Sequence, residues 1–574
     1  MFYTLIKFSL PIGGVMEREY FYFAQEALEF PLDESILVSN TLMETPCIVS
    51  NIDIPNSQIF APEIDYYLQN TQESVAMQIG NVKKLYDIRL SVFDLAQDMD
   101  YQEEVGKKIL IVSSKDEGAL VEKLNTKDFS CLVLKPEEIS NIDGHIGSLS
   151  VRTTKMMRGD LMVDQVLWAD APDFAMKQSG VYDPAEIGRE EAVQKLYDNS
   201  DIYHYKNFVQ YDSSVCQYHE RTEEICGKCE EVCPSVAIMK IDEEKHLTFS
   251  DVDCHGCGGC VSVCPSGALD FTQMPRDAFN AAASYYQGHI ALLLPRQVIL
   301  PEVSLPEKVL PFALEGRKYL HEVHFLTLLQ KSGHAVIFYT DFVSKGTGDA
   351  VRIINEIFER KYGKKAVYVC QTSEELTQAM AEAESIEECL FDIVEDGMKK
   401  REIFTYRLAH LVGEDDLGVV ETGEHLHYGD LRINEANCTL CMSCVGACNV
   451  AALTAHPEDN TLKFNPSICT NCGYCEVVCP EKECLEVVYD QLSLNPSYFK
   501  KNTMAHDELF ACVECGAEFA TVKSIEKIAE MMKPIFGDDE VKIRTLYCCA
   551  DCKPKVMFSA HVDFKEQQRV GGKI

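Results

Sequence analysis

The spacing of its cysteines constrains this chain more than any other feature of the sequence. Of 26 cysteines in 574 residues, all but four lie in three short zones, at 216–264, 438–484 and 512–552. Three stretches there share one spacing, with gaps of two, two and three residues between four cysteines. In a large chain without an evident export signal, thiols clustered in this way indicate bound metal rather than a disulfide framework.

The three regular runs follow the C-x₂-C-x₂-C-x₃-C pattern typical of [4Fe–4S] clusters. They are CHGCGGCVSVC from Cys254, CTLCMSCVGAC from Cys438 and CTNCGYCEVVC from Cys469. Short loops of this kind let backbone N–H groups point at the sulfurs while three thiolates surround one cluster. Zinc requires neither four evenly spaced thiolates in a run nor paired runs, so iron–sulfur clusters are favoured.

A fourth run, CQYHERTEEICGKCEEVCP, has its first step lengthened. Nine residues separate Cys216 from Cys226, and the usual intervals then resume. Regular spacing would place the first ligand at Glu223. Thiolate suits iron–sulfur clusters better than carboxylate does, so Cys216, reached through a longer loop, is the favoured ligand. Glu223 or His219 as the ligand, and a three-iron cluster that lacks this ligand, stay as alternatives.

The first two zones are copies of one another. A shift of 215 residues carries every cysteine from Cys226 to Cys264 onto a cysteine of the second zone. Between the runs, KHLTFSDVDC and NTLKFNPSIC both read as a short strand that enters a cysteine loop. We therefore expect two βαββαβ modules, module 1 over 205–275 and module 2 over 425–492. One departure from the pattern is Asn449, which stands where proline is usual.

Each module resembles the bacterial two-cluster [4Fe–4S] ferredoxin. In that family the first three cysteines of one run and the fourth cysteine of its partner run hold one cluster. The resemblance therefore implies four [4Fe–4S] clusters and a crossed set of ligands in each module. The implied sets are Cys254, Cys257, Cys260 with Cys233; Cys226, Cys229, Cys264 with a further ligand, for which Cys216 is favoured; Cys438, Cys441, Cys444 with Cys479; and Cys469, Cys472, Cys475 with Cys448.

Outside the modules the sequence predicts two α/β domains and a zinc-ribbon-like domain, so the fold class is a multidomain combination of α/β and α+β units. Residues 1–200 and 286–405 alternate apolar strand segments with helical segments and show no catalytic constellation. In the third domain, 500–574, two C-x₂-C pairs predict one four-thiolate zinc site. Its ligands would be Cys512, Cys515, Cys549 and Cys552. A rubredoxin-like iron site and a fifth cluster are the alternatives, and Cys548 would be a spare thiol.

Details within 286–405 can also be predicted. A helix over 315–333 is expected to end at Gly333. His321 and His324, one turn apart, are expected to be a packed or solvated pair rather than metal ligands. The stretch KGTGD after a predicted strand favours a plain turn, with an anion-binding nest as the weaker interpretation.

The charge of the chain restricts its partners. Lysine and arginine total 53 against 91 aspartates and glutamates, a net charge of −38. Such a surface repels nucleic acid and anionic lipid, so we expect protein partners. The longest apolar stretches are too short to span a bilayer. The first residues lack a small-residue cleavage site, which favours a cytoplasmic protein and an upstream start ahead of Met16 over a signal peptide.

The order of these parts resembles the bacterial polyferredoxins linked to formate dehydrogenase systems. The resemblance implies an iron–sulfur electron-transfer protein, a partner or accessory of a redox enzyme such as formate dehydrogenase. Such a chain is expected to be a carrier or oxidoreductase subunit rather than a stand-alone enzyme. The alternative is an assembly or maturation scaffold for a metalloenzyme, with structural clusters. A heterodisulfide-reductase-like or hydrogenase-linked enzyme is disfavoured because the sequence shows no flavin fingerprint.

Overall fold

The computed structural model describes residues 19–154 and 160–559. The N-terminal stretch through Met16, on which the expectation of an upstream start rests, lies outside these ranges. The last fifteen residues of the predicted 500–574 domain lie outside them too. Among the described residues, no helix combines the length and the apolar character needed to cross a membrane.

The range 1–200, predicted as one domain, contains two separate parallel sheets. The first has the strand order β2-β1-β3-β4 and precedes two helices; its elements are β1 (Tyr20–Phe23), β2 (Ile36–Ser39), β3 (Cys47–Ser50), β4 (Ser57–Phe60), α1 (Pro62–Asn70) and α2 (Val75–Leu95). The second has the order β12-β11-β6-β7. Its unit comprises β5 (Asp100–Val105), β6 (Lys108–Val112), α3 (Gly118–Asn125), β7 (Ser130–Leu134), β8 (Ile139–His145), β9 (Ser148–Thr153), β10 (Leu161–Val163), β11 (Gln165–Trp168), α4 (Asp173–Met176), β12 (Val181–Tyr182), α5 (Pro184–Ile187), α6 (Arg189–Asp198) and β13 (Asp201–Lys206).

Module 1 has the order strand, helix, strand, strand, helix, strand. The elements are β14 (Val209–Tyr211), α7 (Lys228–Glu231), β15 (Ile238–Ile241), β16 (His246–Phe249), α8 (Gly259–Val263) and β17 (Leu269–Phe271). The outer strands β14 and β17 pair antiparallel, as do the inner strands β15 and β16. This pairing brings the two cysteine runs to neighbouring positions.

A central α/β unit follows, with a parallel sheet of order β19-β18-β20-β21. Its elements are α9 (Arg276–Ala283), β18 (Ile290–Pro295), β19 (Val309–Leu314), α10 (Glu322–Ser332), β20 (Val336–Tyr339), α11 (Lys345–Tyr362), β21 (Val367–Cys370), α12 (Ser373–Glu382) and α13 (Lys400–Val412). The N-terminal sheet unit is tied to it because Arg89 of α2, fully buried, pairs with both Glu63 and Glu315.

Two local predictions in this unit need correction. The predicted helix 315–333 starts only at Glu322, because the His321 ring accepts the N–H of Val323 and caps the helix there. It ends at Gly333 as predicted, with a positive φ of 69°. KGTGD forms neither a turn nor a nest but the first turn of α11, whose start is capped by the Ser344 side chain.

Module 2 repeats the six-element order and adds flanking strands. Its elements are β22 (Val419–Glu421), β23 (Asp430–Ile433), α14 (Ser443–Ala447), β24 (Leu453–His456), β25 (Thr461–Phe464), α15 (Tyr474–Val477), β26 (Leu485–Val488), β27 (Gln491–Ser493) and β28 (Asn502–His506). The pairs β23 with β26 and β24 with β25 correspond to the two pairs of module 1. Strand β28 extends the second pair into a three-stranded sheet.

The C-terminal unit is small. It consists of a hairpin, β29 (Leu509–Ala511) with β30 (Glu518–Thr521), and of the helices α16 (Val522–Phe536) and α17 (Glu540–Leu546). Its core is formed mainly by cysteines, with Phe519 and Val556 packed against them. So little apolar burial is a weak basis for stability, which makes a bound metal a natural support for this unit.

Candidate iron–sulfur and metal centres

A first cavity, which we call site A, lies between the two runs of module 1. It is lined by Cys233, Cys254, Cys257 and Cys260. The loop before α8 turns sharply because Gly256 and Gly258 have positive φ angles of 63° and 76°, which glycine adopts without steric cost. Burial raises the pKa of the Cys254 thiol to about 12. A bound cation is therefore needed to favour its thiolate form.

A second cavity, site B, lies at the other end of module 1. It is lined by Cys216, Cys226, Cys229 and Cys264. Strands β14 and β17 pair Tyr211 with Leu269, and this pairing brings the two segments that carry the outermost cysteines together. The N–H of Tyr218 donates to Sγ of Cys216 at 3.4 Å. Burial raises the pKa of Cys226 to about 11.

The two alternative ligands of the lengthened run lie elsewhere. Glu223 is exposed, and neither it nor His219 lines site B. The Nδ1 atom of His219 lies 3.2 Å from Nδ1 of His246, and its Nε2 lies 3.6 Å from the Glu220 carboxylate. The structure thus brings Cys216 into the cavity and leaves the other two side chains outside it.

Site C, in module 2, is lined by Cys448, Cys469, Cys472 and Cys475. The N–H of Asn471 donates to Sγ of Cys469 at 3.3 Å, and Gly473, with a φ of 80°, is the N-cap residue directly before α15. Burial raises the pKa of Cys469 to about 12. The loop therefore shares with site A tight turns and thiols removed from water, and at both sites a backbone N–H is directed at a cysteine sulfur, that of Gly256 at Cys254 in site A.

Site D, at the other end of module 2, brings together five thiols. Cys438, Cys441, Cys444 and Cys479 line it, and so does Cys484. Cys484 was not singled out from the sequence, although it follows Cys479 by only five residues. It corresponds to Ala268 of module 1, because the N–H of Asn434 donates to the carbonyl of Cys484 as the N–H of Asp212 donates to that of Ala268. An alanine cannot bind iron, which indicates a packing role. Burial raises the pKa of Cys484 to about 12. Cys441, by contrast, is exposed.

The C-terminal unit holds a fifth group of thiols. The Sγ atoms of Cys512, Cys515, Cys549 and Cys552 all lie within 4.8 Å of one another. Burial disfavours the thiolate of Cys512, but backbone N–H groups of Cys549, Glu514 and Cys515 act against it and lower the pKa to about 6. A thiolate is the form that binds metal. Cys548 lies outside the group, where its Sγ donates to the carbonyl of Arg544 at 3.3 Å.

Lys400, at the start of α13, is a buried cation next to site B. Its Nζ donates to the carbonyl of Cys264 at 3.0 Å and lies 3.2 Å from the carboxylate of Glu322. A Cβ at Gly267 would lie 2.4 Å from the Cβ of Lys400, so only glycine admits this approach. Lys400 could not be singled out from the sequence, because charged residues at a helix start are usually solvated.

Arg401 is the neighbouring cation and connects the two modules. Its Nε donates to the carbonyl of Pro265 in module 1 at 2.8 Å. Its NH2 donates to the carbonyl of His427 in module 2 at 2.5 Å, and the guanidinium carbon lies 3.8 Å from the centroid of the Tyr428 ring. One side chain thus joins both copies of the repeat.

With this geometry in place, the chain can be compared with known proteins. A family model described as a 4Fe-4S dicluster domain matches residues 224–268 and 437–483. The chain carries two 4Fe-4S dicluster domains. The first match begins after Cys216, so the family pattern does not extend to that residue, whereas the second includes Cys438. No curated protein matches the chain. The two dicluster domains support bound [4Fe–4S] clusters, which are typical of electron-transfer proteins.

Proposed function

We propose that the chain is a one-electron transfer protein that holds four [4Fe–4S] clusters at sites A to D. The observation that supports this most directly is the convergence of four or more cysteines on each of four cavities, two in each dicluster domain. Thiolate is the ligand that such clusters prefer. When bound, the clusters supply an acceptor that takes up a single electron.

The chain itself contributes ligands, burial and hydrogen bonds. The N–H groups of Tyr218 and Asn471 donate to cysteine sulfurs of sites B and C. Donors of this kind stabilise negative charge on sulfur and therefore favour the reduced state. The buried cation Lys400 acts in the same direction at site B through its contact with Cys264. These groups tune the reduction potential without taking part in bond making or breaking.

For the C-terminal cysteines we propose a structural zinc ion held by Cys512, Cys515, Cys549 and Cys552. Four thiolates within 4.8 Å match the donor set of a closed tetrahedral zinc site. The unit docks on module 2, where Thr521 Oγ1 donates to the carbonyl of Thr439 at 2.9 Å and Lys523 Nζ to the carbonyl of Glu435 at 2.7 Å. Zinc would therefore hold in place a unit that lies against site D.

The partner we propose is a redox enzyme, with formate dehydrogenase as the candidate indicated by the resemblance to polyferredoxins. The net charge of −38 favours a partner with a basic docking face. Cys441 is exposed at site D, which makes this end of module 2 the most accessible place for electron exchange. We propose a cytoplasmic location, because a reducing compartment keeps the many cysteine thiols available as ligands.

Anaerobic purification followed by metal and sulfide analysis tests the proposal. We expect about 16 iron atoms, about 16 sulfides and about one zinc per chain. We also expect an EPR signal of reduced clusters after addition of dithionite or of reduced formate dehydrogenase. A preparation dominated by zinc would overturn the cluster assignment. Clusters that resist reduction by every cellular donor would instead support the scaffold role with structural clusters.

A further inference from the structure

The lengthened loop between Cys216 and Cys226 faces module 2. The side-chain amide of Asn449 donates to the carbonyl of Ser214 at 3.2 Å and to the carbonyl of Cys216 at 3.0 Å. Its Oδ1 accepts from Nε2 of Gln217 at 3.0 Å. Asn449 directly follows Cys448, a cysteine of site C. A single side chain therefore connects a cysteine segment of module 2 with a cysteine segment of module 1.

Arg221, in the middle of the same loop, makes a second connection. It is buried, and its NH1 donates to the carbonyl of Ala447 at 2.7 Å. Its guanidinium carbon lies 4.5 Å from the centroid of the Tyr474 ring. Tyr474 precedes the site C cysteine Cys475. The inserted residues thus reach over site C and contact it on two sides.

Gln217 is a residue that the two sites share. It lines site B and also lines site C, and it is 2% exposed. Its neighbour Cys216 is a site B cysteine, and its partner Asn449 is next to a site C cysteine. This buried side chain therefore borders both cavities.

The two departures from the ferredoxin pattern are therefore the two halves of one contact. A regular first run would place its ligand at Glu223 and would leave no inserted chain to reach module 2. A regular second run would have proline at 449, as module 1 has at Pro234, and proline has neither the donor nor the acceptor. Each departure is needed for the hydrogen bonds that the structure shows.

We propose that the loop 216–226 and Asn449 form a junction that couples sites B and C, so that electrons pass between the two modules. The proposal rests on the proposed function. In the exchange one electron leaves a reduced centre at one site and reduces the centre at the other; no bond breaks and no proton is required. Asn449, Gln217 and Arg221 are positioning residues that hold the two sites at a fixed separation.

The junction also connects the four sites in one series. Sites A and B share module 1, sites C and D share module 2, and the contact joins B to C. The order A, B, C, D ends at site D, where Cys441 is exposed.

The substitution Asn449→Pro tests the junction by restoring the residue of the family pattern. Cys448 has an extended backbone, with φ of −89° and ψ of 92°, which a following proline accepts. In the reduced holoprotein we expect loss of the spin–spin interaction between modules in the EPR spectrum, at unchanged iron content. We also expect amide exchange in 216–226 to become about tenfold faster or more, because the three side-chain hydrogen bonds of Asn449 are lost.

The matched control is Glu223→Gln, in the same loop but exposed and outside site B, which should leave spectrum and exchange unchanged. Superimposable spectra of Asn449→Pro and the native holoprotein would overturn the junction, and so would loss of iron from the variant, which would make Asn449 a support for ligand binding alone. If the proline variant does not fold, Asn449→Ala removes the same three hydrogen bonds without constraining the backbone, with the same expected result. Absence of any reduced signal from the native holoprotein would defeat the proposed function itself and the junction with it.

Discussion

Module 1 and module 2 share one cysteine register but lie in different surroundings. Residues of module 1, including Cys216 and Cys260, belong to the same hydrophobic core as the central sheet. Module 2 has its own smaller core, and Cys441 at its far end is exposed. Because the register is common, the difference in burial comes from what each copy packs against. One repeat therefore lies in the interior and the other nearer the surface, which under the proposed function favours relay within module 1 and exchange with a partner at module 2.

The largest effect is expected when the first cysteine ligand of either module is substituted. We expect Cys216→Ser to remove about four iron atoms per chain or to leave a three-iron centre, since site B then has three thiolates. Cys438→Ser should do the same at site D. Iron analysis and EPR spectra of anaerobic preparations measure both effects.

The control for Cys216→Ser is Glu223→Gln, which should keep the full iron content. A loss of iron in Glu223→Gln with none in Cys216→Ser would transfer the ligand role to the carboxylate and contradict the geometry of site B. Substitution of His219 by Ala tests the remaining alternative in the same way.

The rate at which a chelator removes iron should differ between the two modules. With a chelator and a mild oxidant, we expect iron to leave site D before site B, because Cys441 is exposed whereas Cys216 and Cys264 are buried. Stopped-flow loss of visible absorbance, with EPR at intervals, separates the two phases. Equal rates at both modules, or earlier loss from module 1, would show that burial does not control access.

Lys400 should raise the reduction potential of site B in module 1 and leave the potentials in module 2 unchanged. A positive charge within about 10 Å of a centre, at an effective dielectric of about 20, favours the reduced state by about 1.7 kcal/mol, or about 70 mV. We therefore expect Lys400→Met to lower the potential of site B by tens of millivolts and to leave sites C and D unchanged. Redox titration followed by EPR gives these values.

The neighbouring Lys399 provides the control. It is half exposed and pairs with Asp212 at the surface, 2.7 Å away, where such pairs contribute little. Lys399→Met should therefore leave the potential of site B unchanged. Equal shifts in the two variants would mean that net charge, not the buried contact with Cys264, sets the potential.

The two modules could be predicted from the sequence because the residues that define each cysteine loop lie close together along the chain. A fixed spacing of cysteines with glycine at the turns defines the loops, and the repeat supplies an internal check. The element order expected for both modules is present in the structure. Strand β19 was missed because Pro311 lies in it, and proline argues against a strand. Here it is tolerated because β19 is an edge strand of the sheet.

Other features depend on contacts between distant segments and could not be read from spacing. Gly346 belongs to a helix start that packs on module 1, where a Cβ would lie 2.7 Å from Oγ of Ser262. In sequence it resembled part of a flexible glycine turn. Lys400 likewise became a buried ion only because Glu322 and the carbonyl of Cys264 face it. The departure at Asn449 was visible in the sequence, but its partner was not.

The smallest effect is expected at Cys484, the fifth thiol of site D. Module 1 has Ala268 at the corresponding position of the strand pairing, and an alanine cannot bind iron, so the repeat itself argues that this position serves packing. We expect Cys484→Ala to keep its iron and to lose only about 1 kcal/mol of the free energy of unfolding through the small cavity created. Cys479→Ala, the matched variant, should lose about four iron atoms. If the iron losses were reversed, Cys484 would be the fourth ligand, and module 2 would depart from the crossed pattern of module 1.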